Sequence, residues 1–213
     1  MIALKSKTGF LLAGGMIPII LIIGACFGQA RAANEDYGYG KLVFSDDFSE
    51  DSGRWEAGGL KMGSSEIKEG VCDINAYIAK SWERIAENEY AGTNYAVEVR
   101  IKVLEWMEDG MVGIEGLCAG NKEEMMVFMR PRKFSFYWPG IKDEQGMAVR
   151  PYTIGKWYKL RVERRDNQFT IYLDDAIMGM PKDTPVTGEG KIGLWTHEAH
   201  AQFDDVKIWE LKK

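Results

Sequence analysis

The chain has 213 residues, of which 46% are apolar, 12% aromatic and 28% charged, with 24 Gly and 6 Pro. This is the composition of a packed globular protein and excludes a collagenous, low-complexity or mostly disordered chain. The 32 acids outnumber the 27 bases, for a formal charge of −5. Three bases (Lys5, Lys7, Arg31) fall in the first 32 residues, which hold no acid, so the remainder is three units more negative still. A body this acidic lacks the cationic field that a phosphate backbone requires, which argues against nucleic acid as a ligand.

In chain order, the first element is an address. Lys5 and Lys7 precede an uncharged run from Thr8 to Ala30, and Phe10–Gly28 within it is continuously apolar or small. A basic start before an apolar stretch reads as an export signal over residues 1–32. Three outcomes stay open. Ala30-Arg31-Ala32 offers small residues to a signal peptidase. Ile23-Gly24-Ala25-Cys26 resembles a bacterial lipobox, in which the signal ends before a lipidated Cys26. An uncut stretch of this length also suffices to anchor the chain in a membrane. Each sends the body out of the cytosol, to a periplasmic, extracellular or cell-surface place. There Cys72 and Cys118, the two cysteines beyond the signal, form either a disulfide contributing about 4 kcal/mol or a pair of buried thiols. The chain contains no C-x-x-C string, which excludes a zinc ribbon or a thioredoxin-type site.

After a polar linker over residues 33–40, residues 41–213 read as one all-β domain. Leu42–Phe44 is a short strand. Ala76–Asn88, with Ile78, Trp82 and Ile85 at helical spacing, is expected as a turn of helix or an irregular loop over the sheet. Tyr95–Val103 alternates Val97, Val99, Ile101 and Val103 with charged residues. The acidic Glu105–Asp109 and Gly110 mark a solvated hairpin tip, followed by strands at Met111–Glu115 and Met125–Met129. Met125, Met126 and Met129 fit core filler. Lys133–Trp138 alternates Phe134, Phe136 and Trp138. Tyr158, Leu160 and Val162, then Phe169, Ile171 and Leu173, have the pattern of a hairpin with one wet face. Lys191–Thr196 and Gln202–Leu211 read as two final strands. Short strands with regular turn signals and no alternating helices argue for an antiparallel two-sheet sandwich or jelly roll.

Two groups of strings carry a family resemblance. Leu42-Val43-Phe44-Ser45-Asp46-Asp47-Phe48 with Trp55 stands near the start. Trp157-Tyr158-Lys159-Leu160-Arg161-Val162, Gly190-Lys191-Ile192-Gly193-Leu194-Trp195 and Phe203-Asp204-Asp205-Val206 lie toward the end. In this order they resemble the concanavalin A-like lectin/glucanase superfamily, and more closely its bacterial branch of 3-keto-disaccharide hydrolases and laminin-G-like jelly rolls. The resemblance implies a twelve- to fourteen-stranded sandwich of two curved sheets that meets glycans on its concave side. It also implies a structural Ca²⁺ where the first and last strands pair, with Asp47 and Asp205 as carboxylates; the alternative for these acids is local turn capping. No organic cofactor is expected.

For function, the resemblance leaves three readings: an exported module that binds a carbohydrate or glycoconjugate, a hydrolase or lyase of 3-keto-disaccharides, and a non-catalytic surface interaction protein. The laminarinase E-x-D-x-x-E string, which places paired carboxylates on one strand face, is absent. The weaker catalytic candidates are therefore single bases, His197 or Glu115. Where Leu194 looks into the core, Trp195 and His197 look out, as a sugar-stacking ring beside a hydrogen-bonding imidazole would; the competing expectation is that Trp195 fills the core. Arg130 and Trp138 complete the expected glycan-binding set, since a guanidinium fork suits vicinal hydroxyls or an acidic sugar. His197 and His200 stand three apart on an extended chain, so their rings are expected on opposite faces, which argues against zinc.

Overall fold

Twelve strands and no helix are formed by the described residues: β1 (Tyr39–Asp46), β2 (Trp55–Gly59), β3 (Gly63–Lys68), β4 (Val71–Ala86), β5 (Asn94–Glu115), β6 (Met126–Arg130), β7 (Lys133–Tyr137), β8 (Gln145–Ala148), β9 (Trp157–Arg165), β10 (Gln168–Leu173), β11 (Ala176–Gly179) and β12 (Gly193–Leu211). The computed structural model describes residues 38–59, 63–86, 94–116, 125–138, 143–166, 168–181 and 191–212, with backbone alone for 58–59 and 77–86. All lie within the unit Asn34–Lys213. The export segment, Cys26 and Cys118 fall outside the described residues, and with Cys118 the question of its pairing to Cys72.

The three long strands β4, β12 and β5 run side by side, antiparallel, and every other strand hangs from them. Their two halves serve two layers. Residues 94–102 of β5 pair with β9, which continues to β10 and β11; the end of β12 pairs with β1, and the first half of β4 with β3. Residues 112–115 of β5 instead pair with β6, which continues to β7 and β8, while the second half of β4 pairs with β2. The long strands fold over between these halves at one bulge level. Between His197 and Ala199 the register of β12 slips against both β4 and β5. Glu198 there takes φ 47°, and a Cβ on Gly110 would stand 2.5 Å from its carbonyl oxygen. Strands that change layer through bulges make the corners of such sandwiches.

Inside the fold lies a single core. Val97, Val99, Ile101 and Val103 are fully buried, as alternation required, against Leu160, Val162, Phe169 and Ile171 of one layer and Ile114, Val127, Phe134 and Leu194 of the other. Each such side chain contributes about 1.5–3 kcal/mol of burial free energy. The layers meet at their margins: the Phe136 ring of β7 lies against Gly179 of β11, and Trp55 packs on Phe44 and Phe48 at 5.8 and 5.4 Å.

Several expectations are corrected by this arrangement. Ala76–Asn88 is not helical: it belongs to β4 through Ala86, because pairing on both edges outweighs the spacing of three apolar residues. Tyr95–Val103 and Met111–Glu115 are one strand: Glu105 and Trp106 stay paired with His200 and Ala199, and Met107–Gly110 is a bulge within it rather than a hairpin tip. Likewise Lys191–Thr196 and Gln202–Leu211 join into β12 across Glu198. β1 begins at Tyr39, inside the expected linker, where its ring stacks on Trp209 at 4.9 Å. The β9–β10 hairpin pairs as expected, but its second face is not wet throughout: Arg161 and Glu163 are buried there, Arg161 lying against Glu163 and over the Tyr172 ring. The β10–β11 turn that follows is a two-residue turn with both Asp174 and Asp175 at positive φ.

Candidate functional site

Strand parity decides which side chains of the second layer turn away from the core. On β12, Leu194 and Thr196 are buried inward, so Trp195 and His197 point outward. On β5 the outward set is Met111, Gly113 and Glu115; on β6, Met126, Phe128 and Arg130; on β7, Lys133, Ser135 and Tyr137. One row across the sheet therefore reads Trp195–Gly113–Phe128–Ser135. Because Gly113 carries no side chain, the rings on either side of it meet edge to face at 5.8 Å. His197 lies near-parallel to the other side of Trp195 at 6.1 Å. Trp195 is left 8% exposed and Phe128 4%. The aromatic pair thus forms a floor, and the half-buried His197, Met126, Tyr137 and Arg130 give the accessible surface.

Two carboxylates border this floor. Glu115 is 6% exposed and lies under Gly193, where an added Cβ would stand 2.8 Å from its Cγ. Glu144, just before β8, accepts hydrogen bonds from Arg130 Nη2 at 2.8 Å, Lys133 Nζ at 2.5 Å and Ser135 Oγ at 2.6 Å. Burial pushes the Glu144 carboxyl up, but the donors on Lys133, Ser135 and Arg130 outweigh it and hold the group below the usual carboxylate range. Arg130 Nη1 also donates to the carbonyl of Asp109 at 3.2 Å, tying the β5 bulge to the rim of the face, and its guanidinium lies 5.5 Å from the Phe128 centroid.

The structure thus gathers Trp195, His197, Arg130 and Glu115 on one face, but not Trp138. That ring shares the parity of Phe134 and Phe136, stacks on Phe136 at 5.4 Å and belongs to the core. Phe128 and Glu144 were not foreseen. Phe128 was legible, because Met125, Val127 and Met129 point inward and leave it outward; Met126, expected as core filler, turns outward with it. The bulge at Glu198 changes the expected reason for the separation of the two histidines: they stand on the outer faces of different layers rather than on opposite faces of one strand. Parity resets there, so both turn outward, and His200 bonds Asp73 at 2.8 Å, with Gln202 on the other oxygen at 3.0 Å.

At the paired ends, Asp47 and Asp205 line one cleft of about 420 Å³ with Asp46, Glu50, Arg54 and Lys207. Asp46 is saturated: it accepts from Phe48 N, Ser52 Oγ, Arg54 Nη2 and Trp55 Nε1. Asp205 accepts from Arg100 and Lys207, each at 3.2 Å. Asp47 bonds the Ser49 N–H at 3.1 Å, as a turn cap does. Three cationic side chains thus stand where a divalent ion would need oxygens alone, and this donor set does not fit calcium.

Comparison with solved structures places the fold. A protein of unknown function with a galectin-like fold from Bacillus subtilis superposes with a TM-score of 0.69 at 12% identity, covering 83% of this chain and 100% of that one. The carbohydrate-binding module CBM66 from Bacillus subtilis gives 0.58 at 20% identity, over 74% and 96%. The endo-β-1,3-glucanase of Pyrococcus furiosus gives 0.64 at 12%, over 81% and 95%. No protein-family profile and no curated protein matches the chain. The fold is the concanavalin A-like, galectin-like jelly roll; identities this low speak to the fold alone.

Proposed function

We propose that this protein is an exported carbohydrate-binding module that takes its glycan on the outer face of the β4–β12–β5–β6–β7 layer. One observation carries the reading: three adjacent strands present Trp195, His197, Phe128, Arg130 and Glu115 together, on a jelly roll whose structural neighbours include a carbohydrate-binding module and a glucanase. The buried Trp195–Phe128 pair backs the face, the half-buried Met126 and the ring faces of His197 and Tyr137 offer apolar surface to a sugar, and His197 and Tyr137 supply hydrogen-bonding groups. The basic, apolar N-terminal segment supports delivery across a membrane.

A second reading rests on Glu115, a buried carboxylate opening on the same face. The paired carboxyls of an ordinary retaining glycosidase are not assembled among the described residues, since Glu144 is held by Arg130, Lys133 and Ser135. A single base suffices for a 3-keto glycoside: it removes the C2 proton, the electrons form the C1–C2 double bond, the C1–O bond to the leaving sugar breaks, and the leaving oxygen takes the proton back from the base or from water.

The test is a screen of immobilised glycans run beside an assay for released sugar. Binding without turnover, weakened at least tenfold by His197→Ala or Trp195→Ala and unaffected by Trp138→Phe in the core, is the expected result. Turnover abolished by Glu115→Gln would favour the second reading. Equal binding by wild type and both face variants would remove this surface from the function.

A further inference from the structure

Arg130 and Lys133 face each other across the β6–β7 hairpin as directly paired residues. Two cations so placed on a ligand face ordinarily form a site for a carboxylate or sulfate, which a guanidinium fork and an ammonium both bind well. Here a protein carboxylate occupies that position. Glu144 takes one oxygen to Arg130 and the other to Lys133 and Ser135. The remaining terminal nitrogen of Arg130 is committed to the Asp109 carbonyl. Glu144 therefore acts as an internal substitute for the anion that the pair would otherwise recruit. Against one carboxylate the two cations leave a single positive charge; Arg132, in the turn between them, is exposed to solvent.

We infer that Glu144 is the specificity-determining residue of this face: by occupying Arg130 and Lys133 it selects neutral glycans over acidic ones. The inference rests on the glycan-binding reading and deepens it. An acidic sugar would have to displace Glu144 from partially desolvated partners, whereas hydroxyls need no such exchange. Glu144 positions the cations and neutralises them, and it does not itself need to touch the sugar.

Titration calorimetry on the full chain, at low ionic strength, compares two oligosaccharide sets matched in length: neutral β-1,3-gluco-oligosaccharides and oligogalacturonates. The wild type is expected to bind the neutral set at least tenfold more tightly. Glu144→Gln keeps the shape but frees both cations, so the neutral-to-acidic ratio should fall about tenfold, the scale of one charge-assisted hydrogen bond. That gain should fade in 0.5 M salt, as screening requires. Lys133→Met, which removes a cation and leaves Glu144 in place, should retain the neutral preference. Should Glu144→Gln fail to fold, the wild-type ratio and the Lys133 variant still decide. Equal wild-type affinity for the two sets, or an unchanged ratio in a folded Glu144→Gln protein, overturns the inference while glycan binding stands. No binding of either set by any of these proteins removes the glycan reading and this inference with it.

Discussion

Replacing Gly113 by alanine tests whether the floor of the face depends on a missing side chain. An added Cβ would stand 2.0 Å from the Val127 carbonyl oxygen, 2.7 Å from Phe128 Cα and 2.8 Å from Phe128 Cβ. Two of these atoms are backbone, so no rotamer change relieves the clash, and β6 must move off β5. Forcing a methyl into a closed space typically costs about 1–3 kcal/mol. Spreading the strands also separates Trp195 from Phe128, whose edge-to-face contact is worth about 0.5–1.5 kcal/mol beyond burial. The sum, about 2–4 kcal/mol, corresponds to a fall in Tm of roughly 5–15 °C for a domain of this size. Gly193→Ala is the internal control. Its Cβ would meet the Glu115 side chain at 2.8 Å, a flexible group that can swing aside, so its cost should be clearly smaller. Thermal and urea unfolding followed by tryptophan fluorescence measure both. A Gly113→Ala protein that melts within a degree of the wild type, or no lower than Gly193→Ala, would refute the view that glycine is needed for the two rings to meet.

Two further outcomes follow from the hydrogen-bonding accounts. Asp46→Ala strips the acceptor from Trp55 Nε1, Arg54 and the Phe48 N–H at once, and should cost about 3 kcal/mol, read as a urea midpoint shift; a shift under 1 kcal/mol would show that water replaces the carboxylate at no loss. Because the folded-state pKa of Glu144 lies below its ordinary value, its ionised form contributes stability at neutral pH that is lost as pH falls through that depressed value. The stability gap between wild type and Glu144→Gln should therefore narrow from pH 7 to pH 3, and a gap constant with pH would contradict the bonding described.

Legibility in the sequence followed the period-two pattern and stopped where the pattern broke. The β9–β10 hairpin alternates without interruption and turns on an Asp at positive φ, so both strands and the turn could be read. The long strands could not, because the same residues that make turns also make bulges. Glu105–Gly110 has the acids and glycine of a hairpin tip, yet its first two residues pair with β12 and Met107–Gly110 bulges opposite Glu198, whose left-handed backbone lets β12 turn the corner without ending. Parity across such a bulge is a tertiary fact, which is why His197 and His200 both turn away from the core, each on its own layer, where simple alternation would have turned one of them inward.

The site was legible in the same measure. The outward direction of Trp195 follows from Leu194, and the inward direction of Trp138 from its step with Phe134 and Phe136; treating both rings as ligand contacts ignored the second of these parities. Nothing in the chain pointed to Glu144, because it reaches Arg130 and Lys133 from 14 and 11 residues downstream through the β7–β8 connection. The division has a physical origin. The side of a sheet on which a residue stands is set by its own strand, within a few residues. The charge that face shows to a ligand is set by which distant carboxylate closes on which cation. Local pattern therefore discloses where a jelly roll of this kind could hold a sugar well before it discloses which sugar.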